Sequence, residues 1–169
     1  MKRRTVLGTV GVLALVAGLG IGWSVGAGGD DGSSVTSPIV ETVAPGVEYT
    51  VHVWAGPKGR ALSAVPCRRL EVRAGEVSKG RTEKHEGLMR LATDVVDALP
   101  GCRGPLNVQI FLDSTDVMRV IEINPRFSGG IPLTIAAGAD LPAMLVHLAM
   151  GEQPEPILGR FRPDLWMTS

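Results

Sequence analysis

The amino-acid sequence predicts an α+β domain, a mainly antiparallel sheet of about five or six strands backed by about three helices, with a hydrophobic helix ahead of it. Three observations predict it. Residues 105–112 and 117–124 are rich in β-branched and apolar side chains and are separated by Asp113-Ser114-Thr115-Asp116, the pattern of a hairpin with a four-residue turn. Leu88, Leu91, Ala92, Val95, Val96 and Leu99 follow helical spacing within residues 82–99. An uncharged run, residues 5–29, follows Lys2, Arg3 and Arg4.

That run is long enough to span a bilayer as a helix, so residues 1–29 read as a transmembrane anchor or an export signal. Its glycines weaken a helix in water and are better tolerated in a membrane. Arg3-Arg4-Thr5-Val6-Leu7 loosely resembles a twin-arginine export signal, and Val25-Gly26-Ala27 offers small residues for cleavage. The positive residues favour a cytoplasmic amino end, which places the rest outside the cytoplasm. Residues 30–37 read as a polar linker, and residues 38–169 as the domain.

Length and composition bound that domain. The chain has 169 residues, of which 44% are hydrophobic and only 4% aromatic, so aliphatic side chains must supply most of the core. With 17 basic and 17 acidic residues there is no net charge to attract nucleic acid, and no nucleic-acid partner is expected. Cys67 and Cys102 lack metal-type spacing; they read as two reduced thiols, with a disulfide as the alternative if the fold brings them together.

Along the domain, residues 38–40 read as the end of a short strand. Pro45-Gly46 makes a turn, after which Val47, Tyr49, Val51 and Val53 alternate with Glu48, Thr50 and His52 as in a half-buried strand. Residues 54–59 turn, and a strand from 60 to 67 continues in extended form to Arg73. Gly75-Glu76-Val77-Ser78-Lys79-Gly80-Arg81 reads as a loop. Thr82 is the expected N-cap of the helix, which Pro100-Gly101 ends and which should pack on the apolar face of the hairpin. Beyond the hairpin, residues 131–137 and 141–150 read as core helices, with Met144, His147 and Met150 as packing or helix-end residues. Residues 161–167 read as a closing strand.

The hairpin carries the chemistry. Pairing Leu112 with Val117 puts Leu106, Val108, Ile110 and Leu112 on one face with Ile121, Ile123 and Arg119. The other face then collects Asn107, Gln109, Glu122 and Asn124 away from the turn, and Phe111, Met118 and Val120 near it. A carboxylate flanked by amide oxygens suits Mg²⁺, which takes hard oxygen ligands and usually shares them with substrate phosphates. The greasy end suits an adenine ring. Arg126 adds a fixed positive charge beside the donors, suited to phosphoryl transfer.

Asn107-Val108-Gln109, followed by Glu122-x-Asn124-Pro125-Arg126, resembles the metal-binding end of ATP-grasp enzymes, particularly the carbamoyl-phosphate synthase-like branch of carboxylate-amine ligases. The string from Glu41 through Gly46, Glu48, Tyr49, Thr50 and Val51 is similar to the hinge and following strand of that fold. The resemblance implies that Gln109, Glu122 and Asn124 hold magnesium, that Arg126 contacts the transferred phosphate, and that the backbone of Glu41, Thr42 and Val43 binds adenine. By the same resemblance Glu48 takes the ribose hydroxyls, and Arg68 or Arg69 lies over the site. His52 stands where such relatives commonly carry Asp, and it is assigned no role.

The resemblance covers about residues 38–167, the C-terminal half of an ATP-grasp unit. The lobe with the glycine-rich phosphate flap should precede Glu41, where this chain has its apolar segment instead. The implied function is the ATP- and Mg²⁺-binding part of a ligase that activates a carboxylate as an acyl phosphate for attack by an amine, incomplete alone and completed by a separate subunit. The alternatives are a membrane-tethered or exported binding module without catalysis, and a truncated relic without activity.

Overall fold

The computed structural model describes residues 44–73 and 75–168. The expected amino-terminal helix, the linker, the short strand at 38–40 and the hinge residues Glu41, Thr42 and Val43 lie outside the described residues. No helix among the described residues is long and apolar enough to cross a membrane.

Among the described residues six strands form one antiparallel sheet: β1 (Val47–Ala55), β2 (Ala61–Arg73), β3 (Glu76–Thr82), β4 (Gly104–Leu112), β5 (Met118–Asn124) and β6 (Trp166–Thr168), in the order β5-β4-β1-β2-β3-β6. Among the same residues three helices accompany it, α1 (Glu86–Asp97), α2 (Ile131–Ala136) and α3 (Leu141–Ala149). The antiparallel α+β architecture expected from sequence is present. Gly46 opens β1 at a positive φ of 123°, and a side chain there would collide with the Leu112 carbonyl, so the tight entry of β1 beside the end of β4 requires glycine.

The two-residue period of β1 divides the protein into two layers. Tyr49, Val51, Val53 and Ala55 face α1, whose Leu88, Ala92 and Val96 pack with them and with Leu106, Val108 and Ile110 of β4 in the main core. The opposite face is only partly covered. There Leu133 and Ala137 pack on Val65 and Cys67, while Ile131, Leu141 and Met144 pack on Trp54. The rest of that face, toward β4 and β5, is the polar surface described below.

Several boundaries differ from the expected ones. The helix begins at Glu86, not beside Thr82, because the His85 side chain accepts the Leu88 N–H at 3.2 Å and serves as N-cap. Thr82 is fully buried at the end of β3, where its hydroxyl donates to the Arg162 carbonyl and accepts the Leu165 N–H. Residues 76–81 are strand and not loop, since β2 runs on to Arg73 and supplies a pairing edge. The closing strand is shorter than expected and pairs Trp166, Met167 and Thr168 with β3. Met144 and Met150 take the two roles expected of them, Met144 buried in the packing and Met150 exposed at the C-cap of α3.

On the α1 face of the sheet, Tyr49 donates to Glu83 at 2.7 Å, and Arg81 and Arg68 flank the same carboxylate. Burial and the bond to Glu83 push the Tyr49 phenol up to about 12. Burial alone would raise Glu83, but the hydrogen bonds from Arg81 and Tyr49 outweigh it and hold the carboxyl below its ordinary range. Arg68 is thereby committed to the α1 face, opposite Arg69.

Candidate functional site

The turn of the β4–β5 hairpin is built by Asp113. Its carboxylate accepts from the Thr115 and Val117 N–H groups and the Thr115 hydroxyl, and pairs with Arg119 at 2.8 Å. These bonds, the Thr115 hydroxyl first and Arg119 next, depress its carboxyl well below the usual range. The turn is one residue longer than the sequence pattern implies, so Leu112 pairs with Met118, not Val117. A β-bulge at Ile121 adds a second one-residue shift, which returns the side chains to the expected faces with partners moved by two: Ile110 faces Val120, while Gln109 faces Glu122 and Asn107 faces Asn124.

The bulge corrects the expected faces. Met118 and Val120 belong to the α1-side core and not to the polar face, and Arg119 sits opposite Phe111 on the polar face. Beyond the bulge the expected donors do fall together. Three cross-strand rows result, about 7 Å apart along the strands. One is Glu48, Phe111 and Arg119; the next is Thr50, Gln109 and Glu122; the third is His52, Asn107 and Asn124. Gln109, Phe111, Glu122 and Asn124 are half-buried. The greasy end is thus reduced to Phe111, set between Glu48 and Arg119.

Asn107 Oδ1 and Asn124 Nδ2 are both buried without a hydrogen-bond partner, although the two residues face each other. Unpaired buried amide atoms are costly unless a ligand completes them. Oxygen and nitrogen of an amide exchange by a simple flip, so this pair offers an oxygen toward either side. Among the described residues, no three His, Cys, Asp or Glu side chains gather as a metal site. The donor set of one carboxylate and three amides is nonetheless all hard oxygen, which fits Mg²⁺ shared with phosphate oxygens.

Arg126 follows the third row directly. Its N–H bonds the Asn124 carbonyl at 2.8 Å, a tight turn around Pro125, and its exposed guanidinium lies 3.7 Å from Glu76 on β3. Glu76 also accepts the Gly129 N–H at 3.2 Å. From beneath, His52 grips the same segment. Its Nε2 lies 2.6 Å from Ser128 Oγ, which accepts the Gly130 N–H, and its Nδ1 bonds Thr134 Oγ1. A Cβ on Gly130 would sit 3.0 Å from the imidazole, so only glycine allows the backbone this close. Burial, and secondarily the charge of Arg69, lower the His52 pKa to about 4, so the ring is neutral at ordinary pH. The neighbouring Cys67 thiol, 3.8 Å from Nδ1, is pushed up to about 12 by burial and is equally neutral. Cys67 and Cys102 are both unpaired.

Glu48 is not free. Arg69 Nε stands 3.0 Å from Glu48 Oε1, and the guanidinium also donates to Thr50 Oγ1 at 3.2 Å and to the Gly75 carbonyl at 2.9 Å. Of Arg68 and Arg69, which the resemblance left as alternatives, it is Arg69 that joins this site, and Glu76 and His52 are the members to which the sequence assigned no role. A surface cavity of about 390 Å³ between α3 and the following loop, lined by Asp140, Met144, His147 and Glu155, shares no residue with the three rows.

Comparison with solved structures places this arrangement in a known fold. The chain is similar to the biotin carboxylase domain of the Hydrogenobacter thermophilus 2-oxoglutarate carboxylase, solved with MgADP and bicarbonate, at 16% identity and a TM-score of 0.56 over 71% of this chain and 28% of that one. Campylobacter jejuni biotin carboxylase matches at 14% identity and a TM-score of 0.57, over 75% of this chain and 30% of that one. Staphylococcus aureus N5-carboxyaminoimidazole synthetase, solved with ADP, matches at 19% identity and a TM-score of 0.50, over 66% and 31%. The chain therefore spans less than a third of the length of each of these proteins. Comparison with curated proteins returned no significant match. With the antiparallel sheet and the two-strand donor set in place, the match of residues 35–164 to the model "ATP-grasp in the biosynthetic pathway with Ter operon" identifies the chain as a member of that ATP-grasp family.

Proposed function

We propose that this chain is the ATP- and Mg²⁺-binding part of a ligase that activates a carboxylate as an acyl phosphate for attack by an amine. The observation that carries the reading is the meeting of Gln109 with Glu122 and of Asn107 with Asn124 on one face, next to Arg126, in a chain of this family. The solved relatives' nucleotides support the choice of ligand.

Gln109, Glu122 and Asn124 would hold Mg²⁺, which when bound neutralises phosphate charge. Arg126 would bind the transferring phosphoryl group as a permanent cation. Phe111 would pack against adenine, Glu48 would accept from the ribose hydroxyls, and the backbone at Glu41, Thr42 and Val43 would meet the adenine edge. In the reaction, a carboxylate oxygen attacks the terminal phosphorus and ADP leaves. The amine nitrogen then attacks the acyl carbon, phosphate leaves, and the nitrogen loses a proton. Positioning of this kind needs contacts around the whole phosphate, so the other face of the nucleotide would be closed by a further lobe, supplied by a separate subunit.

Calorimetric titration of Mg-ATP into the purified chain tests this. Saturable binding is expected, weakened about tenfold or more by Glu122→Ala and by Asn124→Ala. A folded wild-type chain that takes up no Mg-ATP would sink the proposal, and leave a binding module or a relic of a larger enzyme.

Residues 1–29 are proposed as a membrane anchor or export signal and residues 30–37 as a linker to the domain at 38–169, on the strength of the uncharged apolar run behind Lys2, Arg3 and Arg4. Protease added to intact cells is expected to digest the domain. Full protection until lysis would refute the external placement and put the site where ATP is plentiful.

A further inference from the structure

The segment at 126–130 is held from two sides by grips of different kinds. His52 holds it from below, fully buried and bonded to Ser128 and Thr134. Glu76 holds it from above, but Arg126 and Glu76 are both about half exposed, at 54% each. The buried grip is permanent, while the exposed one is exchangeable with solvent ions. A single carboxylate thus meets two anion-binding groups at once, the Arg126 guanidinium at 3.7 Å and the Gly129 N–H at 3.2 Å. A Cβ at Gly129 would stand 2.8 Å from Glu76 Oε2, so the absence of a side chain is what admits the carboxylate oxygen.

We infer that Glu76 is an internal anion occupying the position of a phosphoryl group on Arg126 and Gly129, and that it makes this position selective for phosphoryl over carboxylate. The inference rests on the assignment of Arg126 in the proposed function and adds what competes for it. A tethered carboxylate acts at a high effective concentration, on the order of millimolar or above. An incoming carboxylate of the same charge brings no electrostatic advantage and displaces it poorly. A phosphoryl group carries about −1.5 to −2 charge and three acceptor oxygens, enough to satisfy both Arg126 and the Gly129 N–H and expel Glu76. Released, Glu76 moves with the β2–β3 hairpin, where Arg69 donates to the Gly75 carbonyl. The ligand's own carboxylate is thereby kept off Arg126 until it is phosphorylated.

The test uses the full chain without nucleotide or metal, at constant ionic strength, titrated separately with inorganic phosphate and with acetate while the Gly129 amide resonance is followed. Wild type is expected to bind phosphate in preference to acetate. Glu76→Gln should tighten acetate about fivefold or more and phosphate less, narrowing the preference. Glu76→Asp keeps the charge but withdraws the oxygens, and should give a gain of the same kind. Adding Arg126→Gln to Glu76→Gln should abolish both gains. Unchanged affinities in Glu76→Gln would overturn the inference. So would a gain in Glu76→Gln with none in Glu76→Asp, which would reduce Glu76 to background charge, and so would a gain that survives loss of Arg126. Because no Mg-ATP is present, these outcomes are separate from failure of the nucleotide-binding proposal.

Discussion

Acidification from pH 7 to pH 5 is expected to cost this domain about 2 kcal/mol through His52 alone. The free imidazole titrates at 6.5, but in the folded protein the pKa falls to about 4, because burial disfavours the cation and Arg69 adds repulsion. Between those two values the unfolded chain binds a proton that the folded chain refuses. The stabilisation is whole above 6.5, declines as the pH falls, and reaches a full loss of about 3 kcal/mol near pH 4. The groups around the ring offer no compensating anion: Cys67 is neutral, Ser128 and Thr134 do not ionise, and Arg69 is positive. Glu83 and Asp113, whose pKa values are lowered, lose their contributions only below their ordinary values of 4.5 and 3.8. The window from pH 6.5 to 4.5 therefore isolates His52 from them. Urea midpoints at pH 7 and pH 5 should differ for wild type and nearly coincide for His52→Gln, which retains a side-chain amide for Ser128 and Thr134. An equal pH slope in both proteins would refute the assignment. The amide also tests whether the His52 grip positions Arg126, since a folded His52→Gln protein should bind phosphate nearly as wild type does, whereas His52→Ala should not.

The central hairpin was legible because both of its strands announce themselves, and the donor rows fell where strand alternation puts them. What alternation could not supply was the bulge at Ile121. A period-2 pattern carries no mark of an extra residue, and Arg119, Met118 and Val120 changed faces as a result. The donors survived that error because the longer turn and the bulge together shift the pairing by two residues, so Asn107, Gln109, Glu122 and Asn124 keep a common face although Gln109 meets Glu122 in place of the expected Val120. The helix start was misplaced for a related reason: Thr82 has the better capping chemistry, but its hydroxyl is taken by the Arg162 and Leu165 backbone, and a histidine did the capping. Residues 76–81 resembled a loop by their glycines and charges, and became a strand because β2 is long enough to pair with them. Arg69, Glu76 and His52 were the least legible. Each acts on a partner far along the chain, Glu48, Arg126 and Ser128, and no local pattern joins them.

Removing Glu48 is expected to cost roughly 3 kcal/mol or more, and considerably more than removing Arg69. The asymmetry follows from burial: the Arg69 side chain is 6% exposed, while that of Glu48 is 24% exposed. Glu48→Ala strands a guanidinium that water cannot reach, which keeps only the Gly75 carbonyl and Thr50 as acceptors. Arg69→Met leaves a carboxylate that water can reach, and its long apolar side chain fills much of the space. The double variant should recover most of the loss, because the desolvation of both charges then disappears together. A double-mutant cycle by urea denaturation is expected to give a coupling of about 2 kcal/mol, and additivity within about 0.5 kcal/mol would show that the pair is not coupled. The same geometry bears on the ligand. If Glu48 accepts from ribose hydroxyls, it does so as a carboxylate already oriented and partly neutralised by Arg69, so Arg69→Met should weaken nucleotide binding while sparing much of the fold. Arg69 thus holds the end of the polar face beside Glu48 as His52 holds the end beside Arg126, one through an ion pair on β2 and the other through a neutral ring on β1.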